Sequence, residues 1–287
     1  MGWIVDVFGN FDSNSVRQKT DAPSDKTGGV FNPPEEDAVA ESLLLELENR
    51  KKYPSNLSCD RRPQAPNLAE LENTCGIDLT QKYNEVKDST MKIVNHEGEA
   101  VGSGFAACTD DGSVCGVVTN FHVVRIGPAD KEFYFLQGDK ATKGHVVKKD
   151  RENDLALLVP DDEPVKGASG PIVFKPVKFG EAKKNESAFT SCFPTLQLNE
   201  PFVNSGKVHD TEARVLVAVG TPMLSPPSII SDQRNIGGCS GGANFNAEGE
   251  LIGILRADGQ EGTVTIKSKH AQNLLRDYKQ ELAEKQR

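Results

Sequence analysis

Short apolar runs, separated every few residues by glycine, proline or acidic turns, fill residues 83–278. Runs of this kind are typical of all-β barrel proteins. The pattern predicts six strands of a first barrel, at residues 91–94, 102–108, 114–119, 133–136, 143–148 and 155–159. It predicts the strands of a second barrel at residues 172–174, 187–193, 202–208, 215–219, 242–245, 251–255 and 263–266.

Helical patterns occur towards both ends of the chain. Leu274, Leu275 and Leu282 recur among polar residues and predict an amphipathic helix over residues 269–285. A second helix is predicted over residues 34–52, which begin with a proline and acidic residues and end with basic ones. Its apolar stripe fits docking on the barrel, inhibition as a pro-segment, or binding of a partner.

The domain organisation follows from these patterns. Residues 1–33 are rich in Asp, Ser, Asn, Gly and Pro with little apolar periodicity, so we expect a flexible arm. We expect a partly helical extension over residues 34–82. Residues 83–287 are long enough for one double-barrel domain with its own core.

The chain has six cysteines, which are Cys59, Cys75, Cys108, Cys115, Cys192 and Cys239. Their spacing matches no metal-ligand motif, and the pairing stays open at this stage. Residues 110–113 form a good hairpin turn, so Cys108 and Cys115 are expected to face each other with Cα atoms about 4.4–6.8 Å apart.

Three segments carry the chemistry for acyl transfer. Ser240 stands in the sequence Gly-Gly-Cys-Ser-Gly-Gly, His122 follows an apolar run, and Asp154 precedes another. A serine hydroxyl is a weak nucleophile, so His122 would take its proton during attack and return it later. Asp154 would fix the imidazole tautomer and stabilise the imidazolium.

Gly238 has a separate role in this hypothesis. Without a Cβ, the backbone at Gly238 can turn so that its N–H and that of Ser240 both face an oxyanion. Cys239 next to Ser240 is the competing nucleophile, but only Ser240 directly precedes the Gly-Gly pair. Cys239 is therefore interpreted as a packed, disulfide-bonded or redox-active residue.

Each motif alone also fits an ordinary structural role. Glycine and serine cluster in turns, and a lone aspartate before a strand is often a turn residue. The three motifs together, in the order His, Asp, Ser and each beside a predicted strand, favour the catalytic interpretation. The other histidines are interpreted as surface residues: His96, His145, His209 and His270.

At these motifs the chain resembles the trypsin-like serine peptidases of the HtrA/Do type, over residues 83–278. The matching stretches are GSGF at 102–105, TNFHVV at 119–124, NDLALL at 153–158 and GCSGGANFNAEGELIGI at 238–254. The resemblance implies a chymotrypsin-like double six-stranded β-barrel with a C-terminal helix. Many HtrA relatives carry a PDZ domain after the barrel, but the length of this sequence leaves no space for one, so we expect none. The resemblance assigns the triad to His122, Asp154 and Ser240 and the oxyanion hole to Gly238. Ala243 departs from the family, which usually has proline there.

The resemblance also implies a pocket for the substrate residue before the scissile bond. Its walls would include Arg234, Ile254, Leu255 and Arg256. We expect both guanidinium groups to point to solvent, because arginine is rarely buried unless paired. That arrangement leaves a small apolar pocket suited to Val, Ala or Leu, whereas an inward guanidinium would favour an acidic side chain.

Composition limits the partners. The net charge is −9, from 33 basic and 42 acidic residues, with no basic cluster, which argues against nucleic acid and anionic membranes. No apolar run approaches the length of a membrane span, and residues 1–10 make no convincing signal peptide. The compartment stays open, with a lean towards the cytoplasm. The oligomeric state is unknown.

The sequence therefore predicts a serine endopeptidase that acts on protein or peptide substrates and needs no cofactor or metal. Two alternatives remain. One is a catalytically silent trypsin-like fold that binds a peptide or partner, and the other is an esterase-like hydrolase that uses the same three residues.

Overall fold

The structure is a computed structural model of the chain. It describes residues 76–95, 100–125, 132–166, 168–194, 200–217, 223–233, 235, 237–259 and 262–287. The arm predicted for residues 1–33 and the helix predicted for residues 34–52 lie outside the described residues.

Strands dominate the described residues. The helices are α1 (Leu79–Val86), α2 (Phe121–Arg125) and α3 (Ser268–Lys285). The strands are β1 (Thr90–Val94), β2 (Ala100–Cys108), β3 (Cys115–Asn120), β4 (Phe133–Gln137), β5 (Lys140–Asp150), β6 (Leu155–Pro164), β7 (Lys178–Phe179), β8 (Ser187–Cys192), β9 (Phe202–Ala213), β10 (Leu216–Val217), β11 (Met223–Leu224), β12 (Ser228–Ser231), β13 (Ala243–Asn246), β14 (Glu250–Gly259) and β15 (Gly262–Lys267).

Two six-stranded antiparallel barrels organise these strands. The first closes in the order β1-β2-β3-β6-β5-β4. The second has the order β13-β8-β9-β12-β15-β14 and closes through pairing of β13 with β14, while β7 adds to β14 in parallel. The double six-stranded barrel expected from the sequence is therefore confirmed.

Burial on both faces explains why the central strands read as continuous apolar runs. Val117 and Leu158 pack in a cluster within the first barrel. Their neighbours Val118 and Leu157 join a larger cluster that also contains residues of the second barrel and of α3. A strand buried on both faces has no polar face, so its sequence does not alternate.

The predicted C-terminal helix is confirmed as α3. Leu274 and Leu275 are buried and Leu282 packs against the same cluster, as the apolar stripe predicts. Two ion pairs, Lys148 with Glu281 and Lys279 with Asp111, connect α3 to the first barrel. Among the helices that the structure describes, none is long and apolar enough to cross a membrane.

Two predicted strands of the second barrel are wrong. Residues 172–174, which the structure describes, form no strand, and two of their amides bond to side chains: Ile172 N–H donates to Thr142 Oγ1 at 3.0 Å and Val173 N–H to Gln137 Oε1 at 2.8 Å. The segment predicted at 215–219 contains only Leu216–Val217 as described strand, and it pairs with β11 in a separate two-stranded sheet.

The strand β12 was missed by the sequence pattern. Ser228–Ser231 follows Pro226 and Pro227. Prolines cannot donate main-chain hydrogen bonds to a neighbouring strand, so the sequence here indicates a turn. The strand nevertheless lies between β9 and β15 and supplies the sixth strand of the second barrel.

The hairpin between β2 and β3 places Cys108 opposite Cys115, as predicted. A disulfide joins them, and their Cα atoms are 4.0 Å apart, slightly below the predicted range. The separation is closer to the about 4.5 Å of the narrower type of antiparallel pair than to the about 5.5 Å of the wider type.

The glycine-rich turn, residues 238–242, leaves the second barrel and rests on the first. Ser103 N–H donates to Ser240 C=O at 2.8 Å and Ser103 Oγ donates to Gly238 C=O at 2.8 Å. Gly241 has a φ of +82°, and a Cβ there would lie 2.1 Å from Thr119 Oγ1 and 2.2 Å from the Ser103 carbonyl oxygen. Only glycine fits this position.

We predict that Gly241→Ala destabilises the protein more than Gly112→Ala. Gly112 also has a positive φ, +68°, but a Cβ there would meet nothing within 4 Å. Gly112→Ala should therefore cost only the left-handed backbone, about 1–2 kcal/mol. Gly241→Ala should cost about 1–3 kcal/mol more, because the methyl group overpacks the junction. Urea denaturation measures both, and equal losses would show that the turn does not press on the first barrel.

Candidate active site

His122 is placed by the end of β3. The chain turns into the short helix α2 directly after Asn120, and His122 is buried in its first turn, 8% exposed. The Phe121 amide and the Asn120 side-chain amide both donate to the Asp154 carbonyl oxygen, at 3.0 Å and 3.2 Å. The backbone of Asp154 therefore fixes the position from which His122 projects.

Asp154 stands on a tight turn between β5 and β6. Its φ is +55°, a left-handed conformation that aspartate tolerates better than most residues. The preceding Asn153 donates to the Asp150 carboxylate from its main-chain N–H at 3.0 Å and from its side chain at 2.7 Å. This turn aims the Asp154 carboxylate into the protein, where it is 5% exposed.

His122 and Asp154 form a buried pair with two contacts. Asp154 Oδ2 lies 2.8 Å from His122 Nδ1, and Asp154 Oδ1 accepts from the His122 main-chain N–H at 3.0 Å. An ionised carboxylate only accepts, so Nδ1 carries the proton and Nε2 of the neutral ring is the acceptor. His122 Nε2 is buried and has no hydrogen-bond partner among the described residues.

The surroundings keep Asp154 ionised. Burial raises the pKa of Asp154, but the hydrogen bond and charge interaction with His122, the charge of Arg256 and the His122 amide outweigh it. The pKa of Asp154 therefore lies below its ordinary value. A carboxylate that stays charged near neutral pH can orient the imidazole and stabilise its protonated form.

Ser240 lies on the glycine-rich turn. Gly238 has a φ of +96° and Gly241 one of +82°, so the turn uses two backbone conformations that favour glycine. Ser240 Oγ donates to the main-chain carbonyl of Arg256 at 3.3 Å. In this conformation the hydroxyl is directed at strand β14 rather than bonded to His122.

Two amides of this turn differ from the others in their hydrogen bonding. The structure gives neither Gly238 N–H nor Ser240 N–H an acceptor among the described residues, whereas Gly241 N–H donates to Leu255 C=O at 2.8 Å and Gly242 N–H to Cys239 C=O at 2.9 Å. Backbone N–H groups on such a turn can bind a negatively charged oxygen.

Cys239 is not a free thiol. A disulfide joins it to Cys192 at the end of β8, with Cα atoms 4.9 Å apart, and both residues are buried. Of the interpretations that the sequence leaves open for Cys239, the structure selects a buried disulfide residue. The bond connects the residue directly before Ser240 to the wall of the second barrel.

The structure places three of the four predicted pocket residues, because Arg234 lies outside the described residues. Ile254 is fully buried in the main core cluster, and Leu255 packs with the Cys192–Cys239 disulfide and Phe202. Arg256 is 1% exposed. The expectation that its guanidinium points to solvent is wrong, because Arg256 Nε donates to Asp154 Oδ2 at 3.2 Å.

The sequence contained a signal for this arginine. Arg256 directly follows the apolar run Leu251-Ile252-Gly253-Ile254-Leu255, and a charge next to a buried apolar run requires a partner if it is buried as well. Ser103 lies within the GSGF stretch, but nothing in the sequence around it indicates a role. Its contacts with Gly238 and Ser240 form only when the two barrels pack together.

Asn235 is a further residue that sequence reasoning missed. Its Oδ1 accepts from Thr190 Oγ1 at 3.0 Å, and its Nδ2 donates to Thr263 Oγ1 at 2.8 Å. It thereby anchors the segment before the glycine-rich turn to β8 and β15. An asparagine in a loop gives no local indication of such partners.

The remaining histidines differ from one another. His145 is exposed, as expected, and pairs loosely with Asp161 at 3.7 Å. His209 differs from the expected surface position, because its side chain is only 14% exposed. Its Nε2 lies 3.5 Å from Oδ2 of the buried Asp232. Burial lowers the pKa of the half-buried His270. His96 lies outside the described residues.

Comparison with curated proteins identifies HtrA-like relatives. The "Serine protease HtrA-like" of Staphylococcus aureus (strain bovine RF122 / ET3-1) is 26% identical over 213 residues, 70% of this chain and 26% of that protein. The "Probable periplasmic serine endoprotease DegP-like" of Pseudomonas putida (strain GB-1) is 27% identical over 226 residues, 75% of this chain and 41% of that protein. The chain therefore spans about a quarter of the length of the first relative and under half of the second.

Solved structures share the fold. The MamO protease domain from Magnetospirillum magneticum has a TM-score of 0.51 at 22% identity, covering 66% of this chain and 96% of that one. The HtrA-type protease AlgW with a decapeptide has a TM-score of 0.53 at 18% identity, covering 71% of this chain and 68% of that one.

A family model provides the assignment. The model described as "Trypsin-like peptidase domain" matches residues 102–254, which is just over half of the chain and extends across β2 to β14. The chain belongs to the trypsin-like serine protease family and is similar to its HtrA-type members.

Proposed function

We propose that this chain is a serine endopeptidase that cleaves protein or peptide substrates through an acyl-enzyme. The observation that supports it most is the buried His122–Asp154 pair, whose free Nε2 is an acceptor without a partner among the described residues. The names of the curated relatives, and the decapeptide in the AlgW structure, support a peptide substrate.

The proposed reaction begins with a rotation of the Ser240 side chain. The hydroxyl leaves the Arg256 carbonyl and donates to His122 Nε2, after which Oγ attacks the carbonyl carbon of the substrate. The proton of the hydroxyl passes to Nε2. Asp154 holds Nδ1–H and stabilises the imidazolium that forms.

The amides of Gly238 and Ser240 would then bind the oxyanion of the tetrahedral intermediate. Each such donor contributes about 3–4 kcal/mol in enzymes of this type. The contacts of Ser103 with the carbonyls of Gly238 and Ser240 hold the turn in place before the substrate arrives. No reorganisation of the turn is then needed as charge develops.

The remaining proton transfers first complete formation of the acyl-enzyme and then hydrolyse it. His122 gives its proton to the leaving amine, which departs and leaves the acyl group on Ser240 Oγ. Water then attacks the carbonyl carbon of the ester while His122 takes a proton from the water. Collapse of the second intermediate releases the acid and returns the proton to Ser240.

We extend the proposal to a substrate pocket with a preference for small apolar side chains. Arg256 is paired with Asp154, so its charge is not free to attract an acidic side chain. Leu255 packs beside the disulfide, and an apolar side chain in the predicted wall would favour residues such as Val, Ala or Leu.

One observation favours a different function. Ser240 Oγ bonds to the Arg256 carbonyl instead of His122, an arrangement that a catalytically silent, peptide-binding member of the fold would also have. An esterase-like hydrolase would use the same residues as the peptidase. Labelling by a fluorophosphonate separates the hydrolases from the silent fold, and a peptide digest separates the two hydrolases.

We predict that Ser240→Ala abolishes both peptidase activity and fluorophosphonate labelling, since no other hydroxyl follows Gly238 on the turn. Mass spectrometry of the labelled wild-type protein should locate the adduct on Ser240. Ser113→Ala, in the exposed hairpin turn, is the control and should label normally. An adduct elsewhere, or labelling that survives Ser240→Ala, refutes the assignment of the nucleophile.

We predict that His122→Ala is nearly as damaging as Ser240→Ala, because the three residues act as a unit. Asp154→Asn should lower kcat by roughly 10⁴-fold, since the amide favours the wrong tautomer of His122. The exposed His145 provides the matched control, and His145→Ala should keep full activity. Near wild-type turnover by either active-site variant would remove the substituted residue from the mechanism.

We predict that digestion of a mixed peptide library yields cuts mainly after Val, Ala or Leu. The reason is the apolar side chain of Leu255 and the pairing of Arg256 with Asp154. A dominant preference for Glu or Asp before the cut would show that a guanidinium reaches the pocket. A preference for Lys or Arg would contradict the pocket altogether.

A further inference from the structure

The disulfide between Cys192 and Cys239 adjoins the proposed nucleophile. Cys192 ends strand β8, and Cys239 lies between Gly238 and Ser240 on the glycine-rich turn. Both cysteines are buried, at 0% and 3% exposure. The two residues that flank Cys239 carry the N–H groups proposed to bind the oxyanion. A displacement of Cys239 would therefore move both of these amides.

The space around this disulfide is closely filled. A Cβ added at Gly242 on the turn would lie 2.7 Å from Cys192 Cβ. Both cysteines pack with Phe202 and Leu255 in one buried cluster. Reduction lets the two sulfurs separate from bonding distance to ordinary non-bonded contact, an increase of about 1–2 Å. Because Phe202 and Leu255 stand on barrel strands, the turn is the part of this packing that gives way.

A second link between the end of β8 and the turn does not depend on the disulfide. Ser103 Oγ accepts from Phe193 N–H and donates to Gly238 C=O, both at 2.8 Å. Breaking the disulfide thus loosens the turn without releasing it. Cys192 Sγ lies 3.9 Å from Asn235 Oδ1, which can accept a hydrogen bond from the thiol that reduction creates. The folded protein therefore accommodates the reduced form of Cys192.

We propose that the Cys192–Cys239 disulfide is a redox switch of the active site. The oxidised pair holds the oxyanion-binding amides in place, and reduction lowers the activity. This proposal rests on the proposed function, because it concerns the turn that carries the nucleophile of that reaction.

The reductant is a dithiol, which breaks the sulfur–sulfur bond by thiol–disulfide exchange. It supplies two electrons and two protons, leaves two cysteine thiols in the protein and itself becomes a disulfide. The exposed Gly237 lies two residues before Cys239 and marks the side from which the reductant can approach.

The test is fluorophosphonate labelling of the wild-type protein in dithiothreitol buffers of graded redox potential. Trapping of free thiols and mass spectrometry give the state of each disulfide in the same samples. As the Cys192–Cys239 bond is reduced, the labelling rate should fall about 10²-fold, the effect of a misplacement of about 1 Å. Reoxidation should restore the rate. A bond that stays intact in the folded protein, or labelling that does not follow its reduction, overturns the proposal.

Two double variants identify the responsible bond. Cys108→Ser/Cys115→Ser lacks the disulfide between β2 and β3 and should keep the full response. Cys192→Ala/Cys239→Ala should label at a rate that does not depend on the potential, and a response that persists there overturns the proposal. If this variant does not fold, the midpoint of the wild-type response must match the midpoint of Cys192–Cys239 reduction. A match to a different cysteine pair would refute the switch.

Amide hydrogen exchange tests the switch without catalysis. In a Ser240→Ala background, exchange over residues 238–242 should become faster on reduction, while circular dichroism shows that the protein stays folded. Unchanged exchange, or global unfolding on reduction, contradicts the proposal. Faster exchange combined with an oxidised wild type that never labels would reject the proposed function and keep the redox control of the turn.

Discussion

The site depends on the contact between the glycine-rich turn and the first barrel. His122 and Asp154 belong to the first barrel, whereas Ser240 belongs to the second, so no single barrel can position all three. Ser103 bonds to the carbonyls of Gly238 and Ser240, and Gly241 fits against Thr119 and Ser103 with no space for a side chain. The disulfide between Cys192 and Cys239 fixes the same turn to the second barrel. Ser240 is therefore held from both sides.

Buried charge is the second constraint. A carboxylate inside a protein must be paired or hydrogen-bonded, and Asp154 satisfies this with the Nδ1 and amide of His122 and with Arg256. The carboxylate stays ionised, which suits its proposed role beside a base. The guanidinium of Arg256 also balances the negative charge of Asp154 in the resting protein. The same pairing places a positive charge close to a histidine that must become positive during the proposed reaction.

Local signals in the sequence predicted most of the fold, and long-range contacts account for what it missed. The apolar stripe of α3 and most barrel strands follow from periodicity and turn residues. Pro226 and Pro227 conceal the strand β12 in the sequence, and the amides of Ile172 and Val173 bond to side chains instead of a neighbouring strand. The structure brings His122 and Asp154 together. Arg256 reaches Asp154 across 102 residues of sequence, a pairing that no local pattern indicates. The domain boundaries and the substrate pocket stay predictions.

We propose that Ser240, His122 and the amides of the glycine-rich turn converge on one reacting group. A crystal structure of the fluorophosphonate-treated protein measures this directly. We expect a covalent bond from Ser240 Oγ to phosphorus, with His122 Nε2 near that oxygen. We also expect a phosphoryl oxygen about 2.7–3.1 Å from the N–H groups of Gly238 and Ser240. A phosphoryl oxygen directed away from both amides, or an adduct on another residue, would contradict it.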